Sequence, residues 1–242
     1  LLLKNLALFK SVQFKKHKYI GDPINAVRIF NDLKADELIF LDIEASKNKT
    51  LISLDFVKNV GEEACMPFAV GGGIKSIKDI KAIINAGAEK VVICTQAARN
   101  PDFIKEASEA FGSSTIVVCI DVKKTIFGGL RTRVFGGSNA TPFNPVEFAQ
   151  MMEENGAGEL VIQSVDRDGM MDGYDIDLIR TISTSVSLPV VALGGAGKKE
   201  DLVEAYQKGY ANGLAAGSLF VYQSKNRGVL INYPEKNELH FE

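Results

Sequence analysis

The 242 residues contain no tryptophan, only two histidines and only three cysteines. With no His/Cys/Asp cluster at ligand spacing, the sequence gives no support to a metal centre, and no cofactor is expected. Cys65, Cys94 and Cys119 lie in or beside apolar runs without paired spacing. That pattern fits reduced core thiols better than a disulfide framework, and it favours a reducing cytoplasm. His17 and His240 stand on no strand end and are expected in solvent, and no hydroxyl or thiol nucleophile has an evident base. An excess of one charge is also missing: 28 Lys and Arg against 30 Asp and Glu leave −2. The chain as a whole therefore has no field to draw nucleic acid or an anionic membrane, although local patches could still hold phosphates. Long apolar runs are absent as well. The opening LLLKNLALFK is interrupted by Lys4 and Lys10 and is too short for a membrane span or signal core, so it reads as a strand. Without Met at position 1, the numbered chain reads as a trimmed product that starts partway into its first element.

What is present is an ordinary soluble composition, 46% hydrophobic and 24% charged, which excludes a disordered chain or a coiled coil. Short runs rich in Val, Ile and Leu alternate with amphipathic segments, the pattern of a parallel sheet covered by helices. Strands are predicted at 6–12, 38–42, 67–70, 90–94, 116–121, 159–163, 189–193 and 213–216. Helices are predicted near 23–34, 50–63, 76–87, 101–110, 144–156, 175–186 and 199–208, with a short one after Ser218. Residues 123–141, with paired glycines around a β-branched and aromatic run, read as an inserted hairpin. An internal repeat then narrows the architecture. Ala35-Asp36-Glu37-Leu38 matches Ala157-Gly158-Glu159-Leu160, Pro67 matches Pro189, Gly72-Gly73 matches Gly194-Gly195, Asp79 matches Asp201 and Gly87 matches Gly209, each 122 positions apart. Two repeated halves of four strand–helix units predict a single α/β domain over 1–242, a (β/α)8 TIM barrel made of two half-barrels. A doubly wound open sheet is the alternative.

In such a barrel the chemistry sits at the carboxyl ends of the strands. Those ends supply Lys10, Asp42, Gly72 and Gly73, Thr95, Asp121, Asp168, Gly194, Gly195 and Gly197, and Gly217 with Ser218. Glycines before a helix let backbone amides approach phosphate oxygens, and two such clusters at repeat-related corners suggest a ligand phosphorylated at both ends. The plain alternative is that a tight strand-to-helix turn needs glycine. Ser218 and Thr95 could add hydroxyls or merely cap helices. Asp121 ends the apolar run TIVVCID, and a buried carboxylate must be paired, protonated or working as an acid or base. Its plain reading is an ion pair with Lys123 or Lys10. In SVDRDG, one of Asp166 and Asp168 is expected to hold Arg167 while the other faces the ligand. At the opposite ends, Glu37, Lys90 and Glu159 precede alternate strands and could form a charged ring in one interior layer. Taken alone, they read as solvated strand ends.

With GDP at 21–23, DELIFLDI at 36–43, VGGGI at 70–74, CIDVK at 119–123, SVDRDG at 164–169 and GGAGK at 194–198, nearly the whole chain resembles the cyclase subunit of imidazole glycerol phosphate synthase, a phosphate-binding barrel of histidine biosynthesis. The resemblance implies a substrate with two phosphates, a phosphoribulosyl-formimino aminoimidazole carboxamide ribonucleotide. It also implies ammonia delivered along the barrel axis by a glutaminase partner. It turns Glu37, Lys90 and Glu159 into a gate at the floor where that partner docks, and it makes Asp121 one of an acid/base pair. The other member of the pair falls on Leu2, with Lys123 opposite Lys4, and leucine transfers no protons. Cys94 stands where the family has Asn and Leu193 where it has Ser, and AAGSLF is one residue longer than usual. Lys10 and Asp168 are retained. These departures imply a divergent member of the kind found in surface-polysaccharide gene sets, supplying ammonia to a sugar amidotransferase. An authentic histidine-pathway cyclase and a non-catalytic phosphate-binding activator of the glutaminase remain the alternatives.

Overall fold

The computed structural model describes residues 1–223 and 228–241. Eight parallel strands follow one another in chain order: β1 (Leu2–Lys4), β4 (Leu38–Asp42), β5 (Phe68–Gly71), β6 (Lys90–Ile93), β7 (Ile116–Lys124), β10 (Glu159–Ser164), β11 (Val190–Leu193) and β12 (Gly213–Ala215). Between them run α1 (Pro23–Asp32), α3 (Leu54–Glu63), α4 (Ile77–Asn85), α6 (Asp102–Phe111), α7 (Pro145–Glu154), α8 (Ile176–Ser183) and α9 (Lys199–Gln207), and α10 (Ser218–Val221) follows β12. Helix starts obey local capping chemistry. Asp22 accepts from Asn25 N at 2.8 Å ahead of Pro23, and Asn144 accepts from Val146 N at 2.9 Å ahead of Pro145. Short helices α2 (Ala45–Asn48) and α5 (Thr95–Arg99), which the hydrophobic periodicity is too brief to reveal, continue the turns after β4 and β6.

The sheet separates two apolar layers. One face packs on the helices through Phe40, Val70, Val91, Ile93, Ile120 and Ile162. The alternate residues Ala69, Val92, Val117, Cys119 and Val161 form a second cluster with Ile39, Leu41, Cys94, Val191 and Leu193. Side chains in a strand alternate faces, so this second cluster lines the concave side of the curled sheet.

The expectation for the first strand needs correction. Residues 6–12 are not one of the parallel strands; the parallel strand is β1, and β2 (Ala7–Val12) turns back antiparallel to it and pairs with β3 (Lys15–Gly21). An apolar run broken by lysines cannot distinguish a parallel strand from one arm of a hairpin. The sheet order therefore ends β1-β2-β3, with β2 on the free edge of β1, and the described residues contain no β12–β1 ladder. The two ends still meet, because a Cβ added to Gly217, just beyond β12, would collide with the Lys10 ammonium on β2.

The repeat extends through this region. α1 and α7, β5 and β11, and α4 and α9 each begin 122 residues apart. β7 continues into an antiparallel hairpin with β8 (Leu130–Val134), which also pairs with β9 (Asn139–Ala140). The series β7–β8–β9 is the counterpart of β1–β2–β3, so each half carries an antiparallel hairpin beyond its first parallel strand. Among the thiols, Cys119 is buried and Cys94 half-buried, but Cys65 is exposed after α3, so it is not the core thiol expected.

Candidate functional site at the carboxyl ends of the strands

A cavity of about 150 Å³ opens at the carboxyl ends of the strands. Asp121 and Cys119 from β7, Cys94 and Thr95 after β6, Gly72 and Gly73 after β5, Asp42 from β4, Gln163 from β10 and Leu2 from β1 all line it. Asp121 is buried, and each of its carboxylate oxygens has a thiol at 3.6 Å: Cys119 Sγ on Oδ1 and Cys94 Sγ on Oδ2. Burial pushes the Asp121 carboxyl up to about 7; the two thiol hydrogen bonds pull the other way, and the charge of Asp168 adds to the rise. Burial, with the Asp121 charge beside them, also drives both thiols well above their ordinary range, so they are donors rather than thiolates. Removing both donors in a Cys94→Ala/Cys119→Ala variant should raise the Asp121 pKa further, by roughly one unit, in a carboxyl-carbon NMR titration. An unchanged titration would mean that the thiols do not hold the carboxylate.

The other predicted residues divide into groups. Asp42 Oδ1 accepts from Glu44 N at 3.0 Å and Ala45 N at 3.1 Å, and its Cβ would lie 2.7 Å from a Cβ on Gly72. Thr95 Oγ1 accepts from Phe135 N at 3.2 Å and so ties the β7–β8 hairpin to the cavity rim. Lys10 is buried against Gly217, next to the buried Ser218.

Asp168 is buried and accepts from the Ser11 hydroxyl at 2.6 Å and from Phe14 N at 3.3 Å, which anchors the β2–β3 hairpin. Neither carboxylate of SVDRDG holds Arg167, contrary to expectation: its guanidinium donates to the carbonyls of Asp172 and Gly173 at 3.2 and 3.4 Å. Asp166 accepts instead from Lys124 N at 2.8 Å. The reason is local, since the loop after β10 bends back and presents carbonyls within reach of the arginine.

The glycine clusters have a structural reason. Gly73 has φ +70° and Gly195 φ +118°, and a Cβ at either would strike a backbone carbonyl, that of Thr50 or of Gly173. Asp79 Oδ2 accepts from Lys75 N and Ser76 N, and Asp201 Oδ2, 122 positions on, accepts from Gly197 N and Lys198 N. Those amides are thus already engaged at both corners. Gly197 lies in a separate open depression of about 900 Å³ that Arg167, Arg180, Lys198 and Lys208 also line.

At the opposite ends of the strands, Lys90 Nζ lies 2.9 Å from Glu37 Oε2 and 3.3 Å from Glu159 Oε2. Burial works to lower the Lys90 pKa, but the hydrogen bond it donates to Glu37 and the charge of Glu159 outweigh it, and the net shift is upward. The three residues read in sequence as solvated ends are about a fifth to a third exposed and paired. Alternation links them to the cavity: Lys90, Val92 and Cys94 share one face of β6 and its continuation, Val117, Cys119 and Asp121 one face of β7, and Glu159, Val161 and Gln163 one face of β10.

Sequence reasoning missed the thiols on Asp121. The parity of Cys94 and Cys119 with Val92 and Val117 was the signal that could have found them. It also missed Ser11 as the partner of Asp168, and His17, Phe14 and Lys47 on the cavity rim. The hairpins bring these residues in, and no strand-end rule points to them.

A parallel α/β sheet with a buried carboxylate at the carboxyl ends of its strands defines the class. The chain belongs to the histidine biosynthesis protein family, whose profile matches residues 4–226. It is 43% identical over 239 residues to a Pseudomonas aeruginosa protein provisionally named imidazole glycerol phosphate synthase subunit hisF2, covering 99% of this chain and 95% of that one. A Vibrio vulnificus protein provisionally named subunit hisF3 is 40% identical, covering 98% and 92%, and a Leptospira interrogans protein provisionally named subunit HisF is 39% identical, covering 98% and 94%.

Proposed function

We propose that this protein is a cyclase-like subunit of an imidazole glycerol phosphate synthase type of complex. In this reading the curled sheet is a closed (β/α)8 barrel, one domain of two half-barrels. A glutaminase docks at the Glu37–Lys90–Glu159 end, and ammonia travels along the apolar interior to the cavity at Asp121. The observation that carries the reading is the shared parity just described, which joins a charged ring at one end to a buried acid at the other. Asp121, held near neutrality by burial, is suited to exchange a proton at the working pH. Lys10, Asp42, Gly72, Gly73, Thr95 and Asp168 hold or frame one end of a phosphorylated substrate, and Gly194, Gly195, Gly197, Gly217 and Ser218 the other.

We further propose that the ammonia acceptor has diverged from the histidine precursor towards a sugar destined for amidation by a separate amidotransferase in surface-polysaccharide synthesis. Leu2 supports this, because it lines the same cavity as Asp121 at the place where the family resemblance puts the second acid/base group. The test is to mix the chain with its glutaminase, glutamine and candidate acceptors and identify which acceptor is consumed. Turnover of the histidine precursor at rates normal for a housekeeping cyclase would sink the divergence. A Lys90→Met variant, which removes the cation paired with Glu37 and Glu159, should leave glutamine hydrolysis running while transfer to the acceptor falls. Equal loss of both would contradict the gate.

A further inference from the structure

The overall charge of −2 conceals a strong separation. Residues 7–21 and 122–146, the two hairpin regions, hold eight Lys and Arg and no Asp or Glu. The remaining 202 residues carry 20 Lys and Arg against 30 Asp and Glu, a balance of −10. The fold brings both hairpins over the same end of the sheet. Gln13 Nε2 donates to the Asp166 carbonyl at 2.9 Å and Lys124 N to its carboxylate at 2.8 Å. A Cβ on Gly137 would lie 2.9 Å from the Phe14 ring. Of the acids at this junction, Asp166 and Asp168 are engaged by hairpin groups, and Glu44, whose charge reaches His17, is paired with Lys4. Lys15, Lys16, Lys18, Lys124 and Arg131 are exposed, and Lys123 is half-exposed.

At the tip of the β7–β8 hairpin, Ile126 is 99% and Phe127 97% exposed. Two adjacent large apolar side chains wholly in water gain nothing for the fold, and in that position they call for an apolar environment outside the chain. Protein interfaces favour arginine and are poor in lysine. Six of the eight hairpin cations here are lysines, and Lys123, Lys124 and Arg131 flank the short apolar tip in the chain, the combination that seats a peripheral element at an anionic bilayer, where the apolar residues enter the headgroup boundary and the cations face the lipid phosphates.

We propose that the β7–β8 hairpin tip docks this protein, mouth first, onto an anionic phospholipid surface. The whole-chain charge suggested no membrane attraction, and the folded arrangement reverses that expectation locally. No described helix is long and apolar enough to cross a membrane, so the contact is peripheral. It depends on the hairpin geometry and not on which reaction the cavity performs.

Because the chain has no tryptophan, a Phe127→Trp variant carries a single fluorescent reporter at the tip. Its emission should shift to the blue with vesicles of phosphatidylcholine plus phosphatidylglycerol at low salt, and stay unshifted with phosphatidylcholine alone. Sedimentation of the unlabelled protein with the anionic vesicles should weaken about tenfold in Ile126→Ser/Phe127→Ser. It should weaken about fivefold for each charge removed in Lys123→Gln and Lys124→Gln, and should fall as salt rises. The tip variants place polar groups where side chains are already in water, so folding is not at stake. Equal behaviour with neutral and anionic vesicles, or sedimentation unaffected by the tip variants, overturns the proposal. So does a tip-dependent association with another protein in the absence of any vesicle response, which would make the hairpin a protein-docking element.

Discussion

Asp121→Asn is expected to cut turnover by orders of magnitude while making the protein more stable. The buried carboxyl has its folded pKa raised to about 7, against an ordinary value of 3.8. Between those values the folded state binds a proton that the unfolded state has released. Stability due to this residue is therefore complete below about pH 4 and falls as the pH rises through 7. Above neutrality the native protein carries the whole cost of a buried charge, on the order of a few kcal/mol, and an uncharged amide of the same shape removes it. Thermal unfolding across pH 4 to 8 should show the wild type losing stability relative to Asp121→Asn. Coupled turnover should drop by about 10²–10⁴, the usual contribution of a general acid or base. Loss of activity alone would be uninformative. Loss together with a gain in stability identifies a carboxylate kept at a cost to the fold, whereas an active variant supports the reading in which the chain only binds phosphates and activates the glutaminase.

Leu2→Asp is expected to raise cyclisation of the histidine precursor by a comparable factor, about 10²–10⁴. Leu2 lies on β1 beside Leu41 of β4 and reaches the cavity that Asp121 reaches from β7. An aspartate there would supply a second proton-transfer group in the same small space. The two carboxylates would titrate as a coupled pair, so the pH–rate profile should change shape along with its height. Single-turnover measurement with the glutaminase complex, or with free ammonia in place of glutamine, separates the chemical step from delivery. A wild type already active on the precursor, and little changed by Leu2→Asp, would return the protein to authentic histidine-pathway cyclisation with altered acid/base chemistry.

The retained and departed residues behave differently in the structure. Lys10, Asp42 and Asp168 keep the residue types expected of the family, and each is tightly built in: against Gly217, at the turn into α2, and on Ser11 with Phe14. Cys94 departs from the family type and lies directly on Asp121. Of the departures, Leu2 and Cys94 line the cavity at Asp121, whereas Leu193 and the longer AAGSLF stretch adjoin the second glycine cluster and Ser218.

Much of this was readable from the chain alone. Hydrophobic periodicity places β4 at 38–42 and α9 near 199–208, because a strand buried on both faces and a helix with one apolar stripe leave different spacings. The offset of 122 shows two halves in the chain itself, and its three-residue slip between Leu2 and Asp121 is absorbed by hairpins of different length. Asp121 at the end of an apolar run is suspicious in sequence for the same reason that its pKa is raised in the fold: burial penalises its charge.

Only tertiary structure decides the rest, because it depends on residues far apart in sequence sharing one space. The run at 6–12 becomes a hairpin arm since its neighbour is β1 and not a second parallel strand. Lys90 is a paired cation because Glu37 and Glu159 come from strands 53 and 69 positions away. The thiols of Cys94 and Cys119 meet one carboxylate because β6 and β7 lie side by side in register. Composition gives a balance of −2 and the order of residues gathers eight cations into two acid-free segments, but only the fold brings those segments over one mouth. Local sequence fixes each element's type through short-range sterics and burial pattern; the site arises where those elements converge, and that convergence is set by packing across the sheet.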